Sequence, residues 1–558
     1  MTTNTDLKFS HAKLLTFLAV LGYFILMCGN GIVSLSNPDE VFYTQTAKEM
    51  LKHHSWATPY IFDAPHFEKP IFFFWLLMAA GKVMGVTPFA MRFFPALFGI
   101  LGVLAAYGIA FCLFREKRSA FWSAVVLCTS FIHLTLSRAV LTDMVFSMLV
   151  VMSIGVFYWG YAQRAFRNTA IVLGFAIAGV AVLTKGVLGL LFPLGVLGIY
   201  LLYKKDLQFL RTPALWLGIG VFLAIAVPWH LIMLQRYGED FIREYWTNVH
   251  VRRILEAEHP KSDSWYFYPG TMWAGVLPWS FFVFPAAETL LRKMKERSRE
   301  KDAMVFLLIW IGFILVVMQA AHSKLASYIY PAFPAVAIIV GRYLGETLPR
   351  LKEGRPVKSF ITVTYLMAGL LFLVAVGGIW ATFLYSSLIG DKFPVYIFTV
   401  LIFGAVVSIL VLNARREHGK SLIPIGSVTA SLLVLLFLGR ASAEPWVSCK
   451  DIAEVFQRFD RSDSTVLASK FYVRGVRYYT DRKVAVIDIN GSGFFSPHPV
   501  PFLNTDQKVL DFLGSQNITY AIVKVSNVHD IVRIADGHFR VEELAQLGGK
   551  HILKIQKR

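Results

Sequence analysis

Asp39, Glu40, Glu68, Lys69, Arg138, Asp143, Lys185, His250, Arg252, Arg253, His322, Lys324 and Tyr328 are the residues whose types and places could do chemistry. They fall between or at the ends of long apolar runs, where ionisable groups are uncommon and costly. Several cations, a few carboxylates and aromatic rings around one cavity suit an amphiphile with a phosphate head. Cations can hold the phosphate and stabilise it as a leaving group. Carboxylates can bind sugar hydroxyls or an amine, or accept a proton. Plainer readings stand beside these. Asp39 after Pro38, and Asp143 after Thr142, could cap helices. Glu68 and Lys69 could form an interfacial pair with the lysine snorkelling. A single histidine such as His250 is more often structural than a ligand. Lys185 resists a bland reading, because nothing basic is needed on its side of the membrane. Arg252 and Arg253 break the positive-inside pattern and point to an anionic partner.

Elements that could position this set are set by composition. Hydrophobic residues make up 56% and charged residues 16%, with a mean hydropathy of +0.55. That is the composition of a polytopic α-helical membrane protein and excludes one large soluble core. The net charge of +19 comes from short basic clusters between apolar runs, so it signals topology and not nucleic acid. Four cysteines without metal or CxxC spacing indicate neither a disulfide framework nor a cysteine metal site.

The apolar runs predict spans at 14–33, 89–114, 120–136, 144–161, 170–183, 187–203, 215–234, 271–291, 304–321, 329–340, 360–384, 395–412 and 422–438. The run 71–86 is short and reads as a juxtamembrane helix. With that choice every dense basic cluster falls on one side, such as Arg115, Lys117 and Arg118, or the run from Arg292 to Lys301. About thirteen spans then put the N-terminus in the cytoplasm and the C-terminus outside. A transmembrane domain over 1–444 would carry two outer loops, 34–88 and 235–269, and all the candidate residues above would meet at the outer face. From 445 to 558 the composition changes. Short apolar runs at 465–469, 484–489 and 520–525, helical patterns at 506–513 and 530–534, and a closing hairpin over 539–544 and 551–555 predict a small soluble α/β domain.

At these residues the chain resembles the bacterial lipid A aminoarabinose transferases (ArnT-like), and the wider GT-C group of membrane glycosyltransferases that includes protein O-mannosyltransferases. The resemblance is carried by Pro38-Asp39-Glu40, Phe67-Glu68-Lys69-Pro70 with Trp75, Arg92-Phe93-Phe94-Pro95, Leu183-Thr184-Lys185-Gly186, Leu277-Pro278-Trp279, and Ser323-Lys324-Leu325-Ala326-Ser327-Tyr328, in that order. It implies about thirteen spans with a C-terminal periplasmic domain, in the bacterial inner membrane. It implies an inverting transferase that takes a sugar from a polyprenyl-phosphate donor. The specific expectation is 4-amino-4-deoxy-L-arabinose moved from undecaprenyl phosphate to a lipid A phosphate. Asp39 and Asp143 would be the catalytic carboxylates. Lys69, Lys185 and Arg253 would hold the donor phosphate. Glu40, Glu68, His250, Tyr328 and Lys324 would line the substrate cavity. No required cofactor is expected, although the resemblance places a divalent metal, zinc, near Glu68 and His250. The chain departs from the family at Ala326-Ser327, where Pro-Thr is common, and at His66, where tyrosine stands. Rival readings are a related transferase of another sugar, such as mannose, to protein or glycan hydroxyls, and a lipid or solute transporter. The sequence has no internal repeat of the kind many transporters show.

Overall fold

A computed structural model describes residues 9–258, 260–295, 299–386, 389–494 and 498–558. The chain opens with α1 (His11–Gly22), which continues as a π-helical turn to Met27. The segment after it holds α2 (Asp39–Lys52), a small hairpin of β1 (Tyr60–Ile61) and β2 (Ala64–Pro65), and α3 (Phe72–Met84). The main bundle is α4 (Pro88–Phe114), α5 (Lys117–Cys128), α6 (Phe131–Ser137), α7 (Thr142–Ala162), α8 (Arg167–Lys185), α9 (Leu188–Lys204) and α10 (Pro213–Phe241). It goes on through α11 (Arg252–Leu255), α12 (Phe267–Gly275), α13 (Val283–Met294), α14 (Arg299–Gln319), α15 (Phe333–Lys352), α16 (Lys358–Leu384), α17 (Phe393–Ala414) and α18 (Leu422–Leu438).

Eight of the described helices are long and apolar enough to cross a membrane, or ten if two sharply bent pairs each count as one span. Large apolar side chains stay exposed on their outer faces, among them Trp216, Leu217, Trp380, Phe383 and Val400. A water-soluble bundle would have to bury such side chains, whereas lipid accommodates them.

Several predicted spans differ in form. The first ends at Met27 and not at residue 33. Span 120–136 is broken between α5 and α6, with a bend of 61°, and span 271–291 between α12 and α13, with a bend of 110°. Span 329–340 begins as a 3-10 turn, Ala326–Ala332, before α15. The largest correction concerns 235–269. Its first half is helical and not irregular: past a break at Gly238 a second helical segment continues through a π-helical stretch, Ile242–Val251, into α11. Gly238, at φ 48° and ψ −120°, separates this segment from the part of α10 before it. Glycine reaches that region without the steric cost a Cβ would bring.

After α18 the chain passes through α19 (Arg440–Val447) into an α/β unit. It comprises α20 (Lys450–Phe459), β3 (Val466–Ser469), α21 (Val473–Thr480), β4 (Val484–Ile487), β5 (Phe502–Leu503), α22 (Asp506–Gly514), β6 (Ile518–Lys524), α23 (Val525–Ala535), β7 (Phe539–Leu547) and β8 (Lys550–Lys557). The sheet order is β5-β4-β3-β6-β8-β7, parallel from β5 to β6, with β8 and β7 antiparallel. Strands β3 and β4 are buried on both faces, as central parallel strands are. Their alternating residues divide between two cores. Leu467, Ala485 and Ile487 face α22 and α23, whereas Val466, Ala468, Val484 and Val486 face α20 and α21. The sequence patterns for α20 and α21 were missed, and α21 matters most, because it packs on α2.

Candidate active site

A cavity of about 560 Å³ opens where α2, α6, α8, the segment after α11, the 3-10 turn before α15, and α21 converge. Its charged lining is Asp39, Glu68, Asp143 and Glu258 against Lys69, Lys185, Arg253 and Arg474. Four carboxylates therefore face four cations. Tyr43, Tyr328 and Phe494 line the same space.

Asp39 is the first residue of α2, one place inside its cap. Among the described residues its carboxylate makes no hydrogen bond to the helix N–H groups, so it is no cap. It forms an ion pair at 3.7 Å with Arg474, and 63% of its side chain is exposed. The enclosing protein pushes its carboxyl upward. Arg474 opposes that shift, and the neighbouring charges of Glu68 and Asp143 add to it.

Glu40, next in the chain, behaves differently. One helical step turns it about 100° away, beneath the cavity, where it accepts two hydrogen bonds from Arg92, both at 2.7 Å. Ser36 and the Val140 N–H also donate to it. Arg92 in turn donates to the carbonyls of Asn30, Val33 and Ser34. Glu40 is thus a buried strut that ties α4 to the segment before α2. It does not line the cavity, contrary to expectation.

Glu68 and Lys69 sit before α3 and pair at 3.3 Å. Arg253 reaches Glu68 at 3.5 Å and Glu258 at 3.1 Å. Burial would raise the Glu68 carboxyl, but Lys69, Arg253 and Arg474 hold it well below the usual range. Burial lowers the Lys69 ammonium, with Glu68 opposing and Arg253 and Lys185 reinforcing the shift. Lys185 ends α8 and pairs with Asp143 of α7 at 2.6 Å. Its ammonium lies 4.5 Å from the centre of the Tyr328 ring.

Gly186 closes α8 at φ 99°. A Cβ there would meet His250 Nε2 at 2.4 Å. His250 donates through Nδ1–H to the Tyr245 carbonyl at 2.7 Å, because a carbonyl oxygen can only accept. His250 therefore packs on the turn that aims Lys185 and lies outside the cavity lining. Lys324 is also outside it, held by Asp263 at 2.6 Å beside His322.

The expected metal pair was tested against this geometry. Glu68 is already occupied by two cations, and among the described residues no group of three or more His, Cys, Asp or Glu could hold a metal ion. Glu68 and His250 alone do not fit such a site.

Sequence reasoning brought together Asp39, Glu68, Lys69, Asp143, Lys185, Arg253 and Tyr328. It missed Tyr43, Glu258 and, above all, Arg474. Nothing in the pattern Val473-Arg474-Gly475-Val476-Arg477 marks one arginine as facing another domain.

The family model for dolichyl-phosphate-mannose-protein mannosyltransferases matches residues 13–239. An undecaprenyl phosphate-alpha-4-amino-4-deoxy-L-arabinose arabinosyl transferase of Yersinia enterocolitica is 26% identical over 477 residues, which is 84% of this chain and 82% of that protein. An uncharacterised protein of Aquifex aeolicus is 30% identical over 317 residues, 57% of this chain and 61% of that one. The chain spans about three fifths of the length of most such curated relatives. The crystal structure of ArnT from Cupriavidus metallidurans bound to undecaprenyl phosphate superposes with a TM-score of 0.77 at 20% identity, over 98% of each chain. The chain is therefore similar to the aminoarabinose arabinosyl transferases and has the GT-C membrane fold of ArnT, with a C-terminal α/β unit.

Proposed function

We propose that this chain is an inverting glycosyltransferase that moves 4-amino-4-deoxy-L-arabinose from undecaprenyl phosphate to a phosphate of lipid A. The observation that carries this reading is the cavity itself. One carboxylate, Asp39, stands open to it, beside a cluster of cations able to hold a phosphate. The names of the arabinosyl transferase relatives supply the sugar and the carrier.

In this mechanism the donor phosphate lies against Lys69, Arg253 and Lys185. An oxygen of the acceptor phosphate attacks the anomeric carbon from the opposite face. The bond from that carbon to the donor phosphate oxygen breaks, and its electron pair leaves with the polyprenyl phosphate. The three cations neutralise the charge gained by the leaving group. An ionised acceptor needs no strong base, so Asp39 and Asp143 orient the sugar, bind its amine and balance the positive charge at the anomeric carbon. Tyr328 and Glu68 hold Lys185 and Lys69 in place.

The mannosyltransferase model that matches residues 13–239 favours one second reading, a related sugar passed to a protein or glycan hydroxyl. There Asp39 would take the hydroxyl proton, a role its raised carboxyl suits.

Purified protein given undecaprenyl-phosphate aminoarabinose and lipid A should yield lipid A heavier by one aminoarabinose residue. Transfer to a protein or glycan acceptor alone would establish the second reading in its place. We also place the cavity and residues 445–558 on the periplasmic side of the bacterial inner membrane. A reporter fused after Arg558 should then be active only in the periplasm, and cytoplasmic activity would reverse the assignment.

A further inference from the structure

The transfer proposed above joins two phosphate-bearing lipids, so it needs a second anion site apart from the donor's. Arg474 belongs to α21 of the C-terminal unit, yet it lines the cavity. Lys69, Lys185 and Arg253 each approach a carboxylate to 3.3 Å or closer. Arg474 does not. Its nearest carboxylate oxygen, on Asp39, is 3.7 Å away, beyond hydrogen-bond reach.

An imidazole and a phenyl ring hold Arg474 instead. Its Nε and one Nη donate to His498 Nε2 at 3.2 and 2.8 Å. The guanidinium lies over the Phe42 ring, 4.6 Å from its centre. Ring and imidazole fix the plane of the guanidinium without neutralising it. Only 15% of the side chain is exposed. The helix that carries it is seated closely. A Cβ at Gly475 would meet Asn37 Oδ1 at 1.9 Å, and Asn37 donates to Cys449 Sγ. Arg477, one turn on, pairs with Asp63 and reaches Glu49 at 3.6 Å.

We propose that Arg474 binds the phosphate of the acceptor, so that the C-terminal unit forms the acceptor side of the cavity. This rests on the transferase reading above. A planar guanidinium matches the paired oxygens of a phosphate. Beside Asp39 it would deliver the attacking oxygen next to the carboxylate that steadies the sugar.

The test uses the full chain in detergent, with lipid A bisphosphate and its dephosphorylated form as probes. Arg474→Ala should raise the KM for lipid A bisphosphate by about tenfold or more, with the donor KM unchanged and part of the loss recovered in Arg474→Lys. In direct binding the unaltered protein should prefer the phosphorylated form, and Arg474→Ala should not. An unchanged acceptor KM, or a rise in donor KM instead, would overturn the assignment. Should Arg474→Ala melt early, Arg474→Gln carries the same test without removing the whole side chain. If the unaltered protein transfers nothing to lipid A, the transferase reading fails. The binding arm still decides on Arg474, because no preference for the phosphorylated form overturns it.

Discussion

Two groups of charges lie at opposite ends of α4. A 27-residue helix is about 40 Å long. At one end is the cavity with Asp39. Beyond the other, Arg342 of α15 binds Glu116, Glu300 at 2.8 Å and Glu346 at 2.6 Å, while Lys293 bridges Glu300 at 2.6 Å and Glu346 at 3.1 Å. Every charge in that second group touches an opposite one, and the group clamps α13, α14 and α15 to the turn after α4. The cavity group has more charges, four of each sign, but leaves Asp39 and Arg474 loosely met. Charges that close on one another hold helices together. Charges left facing a space are arranged for something that enters it.

Substitution should break this contrast cleanly. The largest effect is expected at Asp39. Asp39→Asn keeps the size of the side chain and removes its charge, and turnover at saturating donor should fall by about a hundredfold or more, with the melting temperature in detergent unchanged. Near-normal turnover would move the catalytic role to Asp143.

At the other end, Arg342→Ala should lower stability by about 2–3 kcal/mol, less than for a fully buried pair because its partners are partly exposed. Both KM values of the protein that remains folded should be those of the parent. A selective change in KM would deny the division between the two ends.

Lys69→Ala should weaken donor binding by about tenfold and leave expression intact, since Arg253 still meets Glu68. Unchanged donor affinity would remove Lys69 from the phosphate site.

The smallest effect concerns pH. The proposed transfer needs Asp39 ionised, and its carboxyl is raised above the ordinary aspartate value by burial, with Arg474 pulling against Glu68 and Asp143. Turnover should therefore decline on acidification at a higher pH than a free aspartate would dictate. The same raised carboxyl makes a small contribution to stability that is present at low pH and lost as pH rises through the folded value. Removing Arg474 should carry the acid limb of the pH–rate profile further upward, and a limb that moves down would contradict the pairing.

Much of the cavity was legible from residue types alone. Lys69, Asp143, Lys185 and Arg253 stand at the ends of apolar runs, where a charge needs a reason. Asp39 and Glu40 could not be told apart, because adjacent residues of a helix point to different surroundings and only the packing of Arg92 shows which is which. Residues 242–255 read as irregular loop because their polarity hid a second helical segment beyond the break at Gly238. Arg474 was invisible for the opposite reason. In a soluble α/β unit a surface arginine is ordinary, and nothing in its neighbours reports the distant helix it faces.

The seating of α21 against α2 also has a consequence in time. The chain beyond Leu438 is made after every helix of the bundle. Until α20, β3 and α21 have emerged and packed, the cavity lacks a wall, and Asp39 lacks its ion-pair partner Arg474. A nascent protein, or one cut short in this region, would carry Lys69, Lys185 and Asp143 in the membrane yet be unfinished as a catalyst. Only completion of the last unit would close the cavity and pair Asp39 with Arg474.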